Sequence, residues 1–436
     1  MQHWFKDQHF RSLLKNTSYL AVSKGVAAVA SIVTLAMTGQ ALGLIAFGVL
    51  ILITSYAQAA NGLSKFQSWQ LIIRYGAAAL AKDDEATFKR AAGFGLGLDI
   101  SSGLLGMVAA MVLLPLLGPW FGLKPEYIVY AMAYCLLIPT MGASSPSGML
   151  RALDRFDLIS WQGTVTPIVR AVLATIGFWQ GWGLPEFVAL WAATDLLGDL
   201  FLWFLAWREM GRRGMRSGVK PTLRPVGLDA VWPFAIQVNL TSSLMAAWGP
   251  IAKLIVGGLL GEAAAAIYRV AASLADSAQK PADLLAKAYY PEVVRMDLKS
   301  SQPWKLMARG TAIAAAFGLV AIGILVVGGE PLIAFLFSSR AEQFLPVYPV
   351  LMVMIGIPLL AILSFPLVPM LYALDRADGP LKARIIATAI YFAIVAPLCW
   401  RFDTMGAAIA LVAAHLVMVA ILIVMVWREH RRVRAT

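Results

Sequence analysis

Five charged residues lie where charge is expensive. Lys24, Lys253, Arg269, Asp276 and Lys280 each fall inside an apolar run long enough to cross a bilayer. A charge at that depth faces a partner or a wetted cavity. Helical spacing tells which face it shares. In the first apolar segment Thr17, Lys24, Ser31 and Thr38 recur every seven residues as one polar stripe. In the second, Thr54, Gln58, Asn61, Lys65 and Ser68 repeat at spacings of three and four. Gln237, Thr241, Ser242 and Lys253 form a looser stripe in the seventh. The eighth carries Arg269, Ser273, Asp276, Lys280, Asp283 and Lys287 along one face.

Such groups bind rather than transform. If the stripes meet, they line a hydrated cavity whose cations suit a phosphate or pyrophosphate. Gln58 and Asn61 would add neutral hydrogen bonds. Two readings of the eighth stripe stay open: Asp276 and Lys280, spaced i and i+4, either neutralise each other or face substrate. Lys24 has Asp99 of the third segment as an alternative partner. Arg170 and Asp195 match in depth and read as a structural ion pair, which Asp199 extends by one turn. His415 reads as a packing residue. Cys135 and Cys399 read as free, buried thiols. The chain carries no metal-spaced His/Cys cluster, nucleophile elbow or phosphate-binding glycine loop, so no enzyme, cofactor or metal is expected. Gly93, Gly95 and Gly97 lack a preceding strand and read as close helix packing.

The elements that position these residues follow from composition. Of 436 residues, 60% are hydrophobic and 14% charged, which excludes an ordinary soluble domain. About twelve apolar segments recur from end to end. They are too long, and alternate too little, for barrel strands. The net charge of +12 invites a nucleic-acid partner, but its distribution argues against one. Basic residues gather on every second turn, densest from Arg208 to Arg224, while the other turns hold only Lys124, Arg340 and Arg401. That is the positive-inside pattern, with both termini cytoplasmic and the first segment retained as a helix. Trp120, Phe121, Trp179, Trp182 and Trp427 read as interfacial anchors.

The chain also echoes itself. Residues 149–157, Met-Leu-Arg-Ala-Leu-Asp-Arg-Phe-Asp, return at 370–378 as Met-Leu-Tyr-Ala-Leu-Asp-Arg-Ala-Asp, with seven of nine positions identical. The hairpin at 39–43 likewise resembles 257–261. The basic, glycine-rich and proline-rich loop from Arg208 to Arg224 separates six segments from six. The expectation is an all-α integral membrane protein of two six-helix bundles, 1–221 with the linker and 222–436. A parallel repeat relates them by a pseudo-twofold along the membrane normal.

With these features the chain resembles the polysaccharide and lipid-linked oligosaccharide flippases of the multidrug/oligosaccharidyl-lipid/polysaccharide exporter superfamily. The opening Leu13-Leu14-Lys15-Asn16-Thr17, the hairpin from Gly39 to Gly48 and the turn from Met149 to Asp157 carry the likeness. The resemblance implies a cavity bordered by segments 1, 2, 7 and 8, with Lys24, Lys253 and Arg269 as candidates to hold a lipid pyrophosphate. It implies transport of an undecaprenyl-pyrophosphate-linked oligosaccharide across the bacterial inner membrane by alternating access, in polysaccharide or lipopolysaccharide biosynthesis. The partners are then the lipid-linked glycan, membrane lipids and, as an open option, a coupling cation or proton. A monomer is expected. The alternative is a cation-coupled multidrug/toxin antiporter, which should favour acidic cavity residues. A polysaccharide polymerase or ligase would need a sizeable extracytoplasmic loop, and no turn here is long enough.

Overall fold

The computed structural model describes residues 8–294, 302–374, 376 and 378–435. Some side chains within these ranges lie outside the description, among them those of Thr17, Gln237, Thr241, Ser242 and Lys280. The described residues are mostly helical, with no strand among them. In chain order they form α1 (Gln8–Ser64), α2 (Ser68–Leu71), a π-helical stretch (Ile72–Ala77), α3 (Ala78–Leu80), α4 (Glu85–Leu117) and α5 (Pro125–Cys135). Then come α6 (Ser144–Ala152), α7 (Phe156–Gln180), α8 (Leu184–Arg212), α9 (Val231–Leu260), α10 (Glu262–Val294) and α11 (Gln302–Leu336). Short helices α12 (Ala341–Phe344), α13 (Val347–Met354), α14 (Gly356–Ser364) and α15 (Leu367–Ala373) precede α16 (Asp378–Ala435).

The expected apolar segments fall on helical stretches, the fourth of them interrupted between α5 and α6. Two long helices each contain two segments. α1 turns at Gly43, whose φ of 73° is a left-handed conformation open to glycine. α16 turns at Phe402 and Asp403. The hairpin between α9 and α10 also uses a left-handed glycine, Gly261 at φ 89°, so the resemblance of the two hairpins has a backbone counterpart. Six helical stretches among the described residues are long and apolar enough to cross a membrane by length and composition. Their outer faces carry exposed Leu105, Val112, Val327 and Phe335, side chains that water would not tolerate in such number.

The residues pack as two compact units, Met1–Leu42 with Val49–Gly258, and Gly43–Gly48 with Leu259–Thr436. Packing therefore groups α9 with the first unit. Val231 and Ala235 at its start are buried in a core with Ile72, Phe88, Phe94 and Met149, and Phe94 meets Trp232 edge to face. The repeat boundary at 221/222 concerns descent rather than packing and stays a proposal.

The loop between α8 and α9 is not a solvated tether. Val219 and Leu228 are buried in the same core, and Thr222 N–H donates to Gly93 O at 3.1 Å. Here the expectation of close helix packing at the glycines needs correction. A Cβ on Gly93 would lie 2.4 Å from Lys220 O, and one on Gly97 would lie 2.2 Å from Thr222 O. The backbone that presses on these two glycines is the loop's. Gly95, on another face, meets Ile72 and Ser145.

Candidate functional site

The first unit contains two breaks in long helices, and both expose backbone groups that a regular helix would satisfy. The first interrupts the chain between α1 and α2, at residues 65–67. The second unwinds residues 136–143 between α5 and α6, around Pro139 and Gly142. Charged side chains occupy both. Lys65 is buried, and its Nζ donates to the carbonyls of Pro139 at 2.9 Å and Met141 at 2.5 Å. Asp99, buried midway along α4, accepts from Ser68 Oγ at 2.6 Å and from Ser145 N–H at 2.8 Å. Ser144 Oγ accepts from Trp69 N–H at 3.1 Å and ties the two breaks together. The ammonium thus sits on carbonyls that follow α5, and the carboxylate sits at the first turns of α2 and α6. Asp99 thereby lies at the N-terminal turn of α6, where the helix dipole favours a carboxylate, and Lys65 satisfies carbonyls of the unwound stretch itself.

These findings correct two expectations. Lys65, expected on a cavity-lining stripe with Gln58 and Asn61, is instead an interior residue holding an unwound helix. Asp99 does not pair with Lys24: its hydrogen bonds go to Ser68 and Ser145, and Lys24 is exposed. The expected pair of Arg170 and Asp195 does form. Arg170 Nε also donates to Thr194 Oγ1 at 2.7 Å, and Tyr134 donates its hydroxyl to Asp195. The bland readings of His415 and the cysteines agree with the structure. His415 Nδ1 lies 2.9 Å from Leu411 O, and both thiols are buried and free.

Between the two clusters lies a polar cavity of about 230 Å³. Gln58 and Asn61 of α1 form one wall, and Met141 and Gly142 of the unwound stretch form another. Gln162 and Thr166 of α7 and Asp195 and Asp199 of α8 close it. Asn61 Oδ1 is buried without a hydrogen-bond partner among the described residues. Asp199 faces the backbone N–H of Gly142. No ion pair with Asp199 occurs among the described residues. The charged residues that line this cavity are the carboxylates Asp195, paired with Arg170, and Asp199. The cavity therefore suits a hydrogen-bonding guest carrying positive charge, or a proton, better than an anion.

Of the substrate-binding candidates with described side chains, the structure places Gln58 and Asn61 on this cavity, beside Asp195 and Asp199, which the sequence reads as part of a structural ion-pair patch. Lys253 is buried on α9 of the first unit. Arg269 is half-buried and Asp276 exposed on α10 of the second unit. The Lys280 side chain lies outside the described residues. Sequence reasoning missed Lys65 and Asp99 as one linked polar network. The available signal was Pro139 and Gly142 inside an apolar segment, followed by Ser144-Ser145-Pro146, a mark of a discontinuous transporter helix.

Comparison with known proteins agrees with this architecture. Residues 13–296 match the family model described as "Polysaccharide biosynthesis protein". The chain is 35% identical over 343 residues to inner membrane protein YghQ of Escherichia coli K12, covering 78% of this chain and 96% of that protein. Among solved structures it resembles a multidrug resistance MATE family transporter of the MOP superfamily in its inward-facing conformation. The TM-score is 0.72 at 14% identity, covering 93% of this chain and 96% of the other. The outward-facing conformation of a MATE transporter gives 0.66 at 16% identity, with 97% of both chains covered. A point mutant of the Vibrio cholerae MATE transporter VcmN gives 0.65 at 15% identity, again with 97% of both chains covered. These likenesses establish the fold. The chain is a multi-pass membrane protein and belongs to the polysaccharide biosynthesis protein family.

Proposed function

We propose that this protein is a flippase for an undecaprenyl-pyrophosphate-linked oligosaccharide in polysaccharide or lipopolysaccharide biosynthesis. The observation that carries the reading is the family match over residues 13–296 in a chain with broken, charge-bearing membrane helices. Transport proceeds by alternating access with no covalent step. Lys24, Lys253 and Arg269 replace hydration around the pyrophosphate, while Gln58, Asn61, Asp276 and Lys280 complete the polar lining. The protein acts as a monomer in the inner membrane with both termini cytoplasmic.

The test is flipping of a lipid-linked glycan in proteoliposomes. A charge-assisted contact is worth roughly 1.5–3 kcal/mol, so each lost cation weakens headgroup binding by about ten- to a hundredfold. Flipping should fall steeply in the Lys24→Ala, Lys253→Ala, Arg269→Ala triple variant while the protein still inserts and folds. Undiminished flipping in that variant removes the cationic-headgroup mechanism.

One observation favours the second reading, a cation-coupled antiporter. The described cavity has more carboxylates than cations, and Asp199 has no ion pair there. In the flippase reading Asp199 carries the coupling proton or cation. In the antiporter reading it serves export of a cationic drug. Vesicles loaded with a cationic dye separate the two. Dye efflux driven by a proton or sodium gradient, lost in Asp199→Asn and unaccompanied by glycan flipping, would select the antiporter.

A further inference from the structure

A long apolar furrow runs between α7 and α8, with a volume of about 800 Å³. Val165, Val169 and Leu173 line it from α7, and Leu197, Leu200 and Phe204 line it from α8. Its lining on α8 extends from Glu186 to Phe204, eighteen residue-to-residue steps. At 1.5 Å per residue that is about 27 Å, nearly the full ~30 Å of a bilayer's hydrocarbon core. Leu197 and Phe204 are 62% and 58% exposed, so the furrow is open along its side.

Phe204 also borders a second hollow, of about 560 Å³, at the arginine-rich end of α8. Trp203, Trp207, Arg208, Gly211 and Arg216 form its wall. Arg216 stacks its guanidinium over Trp207, 5.1 Å from the ring centre, which orients the group and leaves its N–H donors available. Among the described residues neither Arg208 nor Arg216 has an ion pair. The nearby carboxylate of Glu209 is already held by Arg155 and Arg213. The C-terminal end of a helix carries partial negative charge of about half an electron, which two full guanidinium charges outweigh.

We propose that the furrow and the hollow together form a lipid site. An isoprenoid chain lies between α7 and α8, and the diphosphate of the same molecule is held by Arg208 and Arg216. Two guanidinium forks match the several oxygens of a diphosphate. The length of the furrow selects the occupant. A phospholipid chain fills one leaflet, roughly 15 Å or half of the core, whereas a long isoprenoid continues through it. This site lies apart from the polar cavity, although Thr166 and Gly198 line both, and it places substrate capture on the outer face of α7 and α8. The proposal rests on the flippase reading for its choice of ligand.

The test measures binding, not transport. A photoreactive isoprenyl diphosphate without sugar is added to the purified protein in nanodiscs of neutral phosphatidylcholine, and labelled peptides are mapped. Label should concentrate in residues 165–173 and 197–208. Undecaprenyl phosphate should compete for it and phosphatidylglycerol should not. Arg208→Ala with Arg216→Ala should weaken labelling about tenfold or more. Leu197→Trp, which fills the furrow and leaves both arginines intact, should do the same and decides the matter if the double variant does not fold. Label elsewhere on the protein, or label in the furrow that phosphatidylglycerol competes away or that neither change reduces, overturns the site. Flipping without furrow labelling would sink this site and keep the function proposed above. Furrow labelling without flipping would do the reverse.

Discussion

Among their described residues, the two copies of the repeated turn share backbone hydrogen bonds and differ in how they are anchored. In the first, Leu153 N–H donates to Met149 O at 3.0 Å and Arg155 N–H to Leu150 O at 2.8 Å. In the second, Leu374 N–H donates to Met370 O at 3.0 Å and Arg376 N–H to Leu371 O at 2.8 Å. In each, the arginine then bonds an aspartate two residues on and a glutamate at the end of a distant helix. Arg155 reaches Asp157 and Glu209, and Arg376 reaches Asp378 and Glu429. The separations to the glutamates, 54 and 53 residues, nearly agree, so the repeat includes a partner that the nine-residue echo does not contain.

The anchoring differs in where the charges converge. Glu209 is only 6% exposed and accepts from a second arginine, Arg213, at 2.9 Å. Glu429 is 13% exposed, and its second arginine, Arg432, stands 3.9 Å away and largely in solvent. In the second copy it is the turn aspartate, Asp378, that gains a second cation, Lys382 at 2.7 Å. One turn is thus clamped to a buried helix end, and the other is held mainly at its own surface. A shared turn with unequal clamps implies that the first closes more firmly.

The largest expected effect tests that inequality directly. Removing one partner of a buried ion pair costs about 3–5 kcal/mol, and a solvent-exposed pair is worth about 0–1. Glu209→Gln leaves Arg155 and Arg213 without their shared charge at a mostly buried position. It should lower the thermal midpoint in detergent clearly more than Glu429→Gln. Equal shifts would mean that burial of the glutamate does not set the strength of the clamp.

A smaller effect comes from acid. Hydrogen bonds from Arg155 hold the Asp157 carboxyl below its ordinary value, with burial acting against them. Its stabilisation is therefore complete above the unfolded value of about 3.9, and is lost as pH falls through the folded one. The thermal midpoint should drop below about pH 4, and drop less in Asp157→Asn, which has one fewer carboxylate to protonate. A variant as acid-sensitive as the parent would assign the drop to other carboxylates.

Much of this architecture was readable from residue types. Apolar length placed the helices, and the echo marked a real structural unit. Matched depth found the pair of Arg170 and Asp195. What escaped reading has one physical cause. Hydropathy averages over a window, so Leu136 to Ala143 reads as the middle of a continuous span although Pro139 and Gly142 break it. Lys65, at the other break, then reads as one more member of a polar stripe because nothing local shows that it meets the carbonyls of Pro139 and Met141. Glu209 escaped for a different reason. A single carboxylate among many arginines looks like a solvated charge until its distant partner is brought to it.

The smallest expected effect asks why aspartate recurs before the arginine in both turns. Asp154 adopts φ 58°, a left-handed conformation that costs most residues with a Cβ roughly 1–2 kcal/mol and aspartate or asparagine less. If backbone shape is the reason, Asp154→Asn should be neutral, Asp154→Gly neutral or slightly stabilising, and Asp154→Ala destabilising by about 1 kcal/mol. If the carboxylate is the reason, asparagine and glycine should cost as much as alanine. Asp375 lies outside the described residues, so the same three substitutions there test the comparison where the structure does not reach. Hydrogen bonds of equal length on either side of Asp375 predict the same order of effects as at Asp154. An Asp375→Ala change much more damaging than Asp154→Ala would show that the second turn, with the weaker glutamate clamp, relies on this side chain as well as on its backbone.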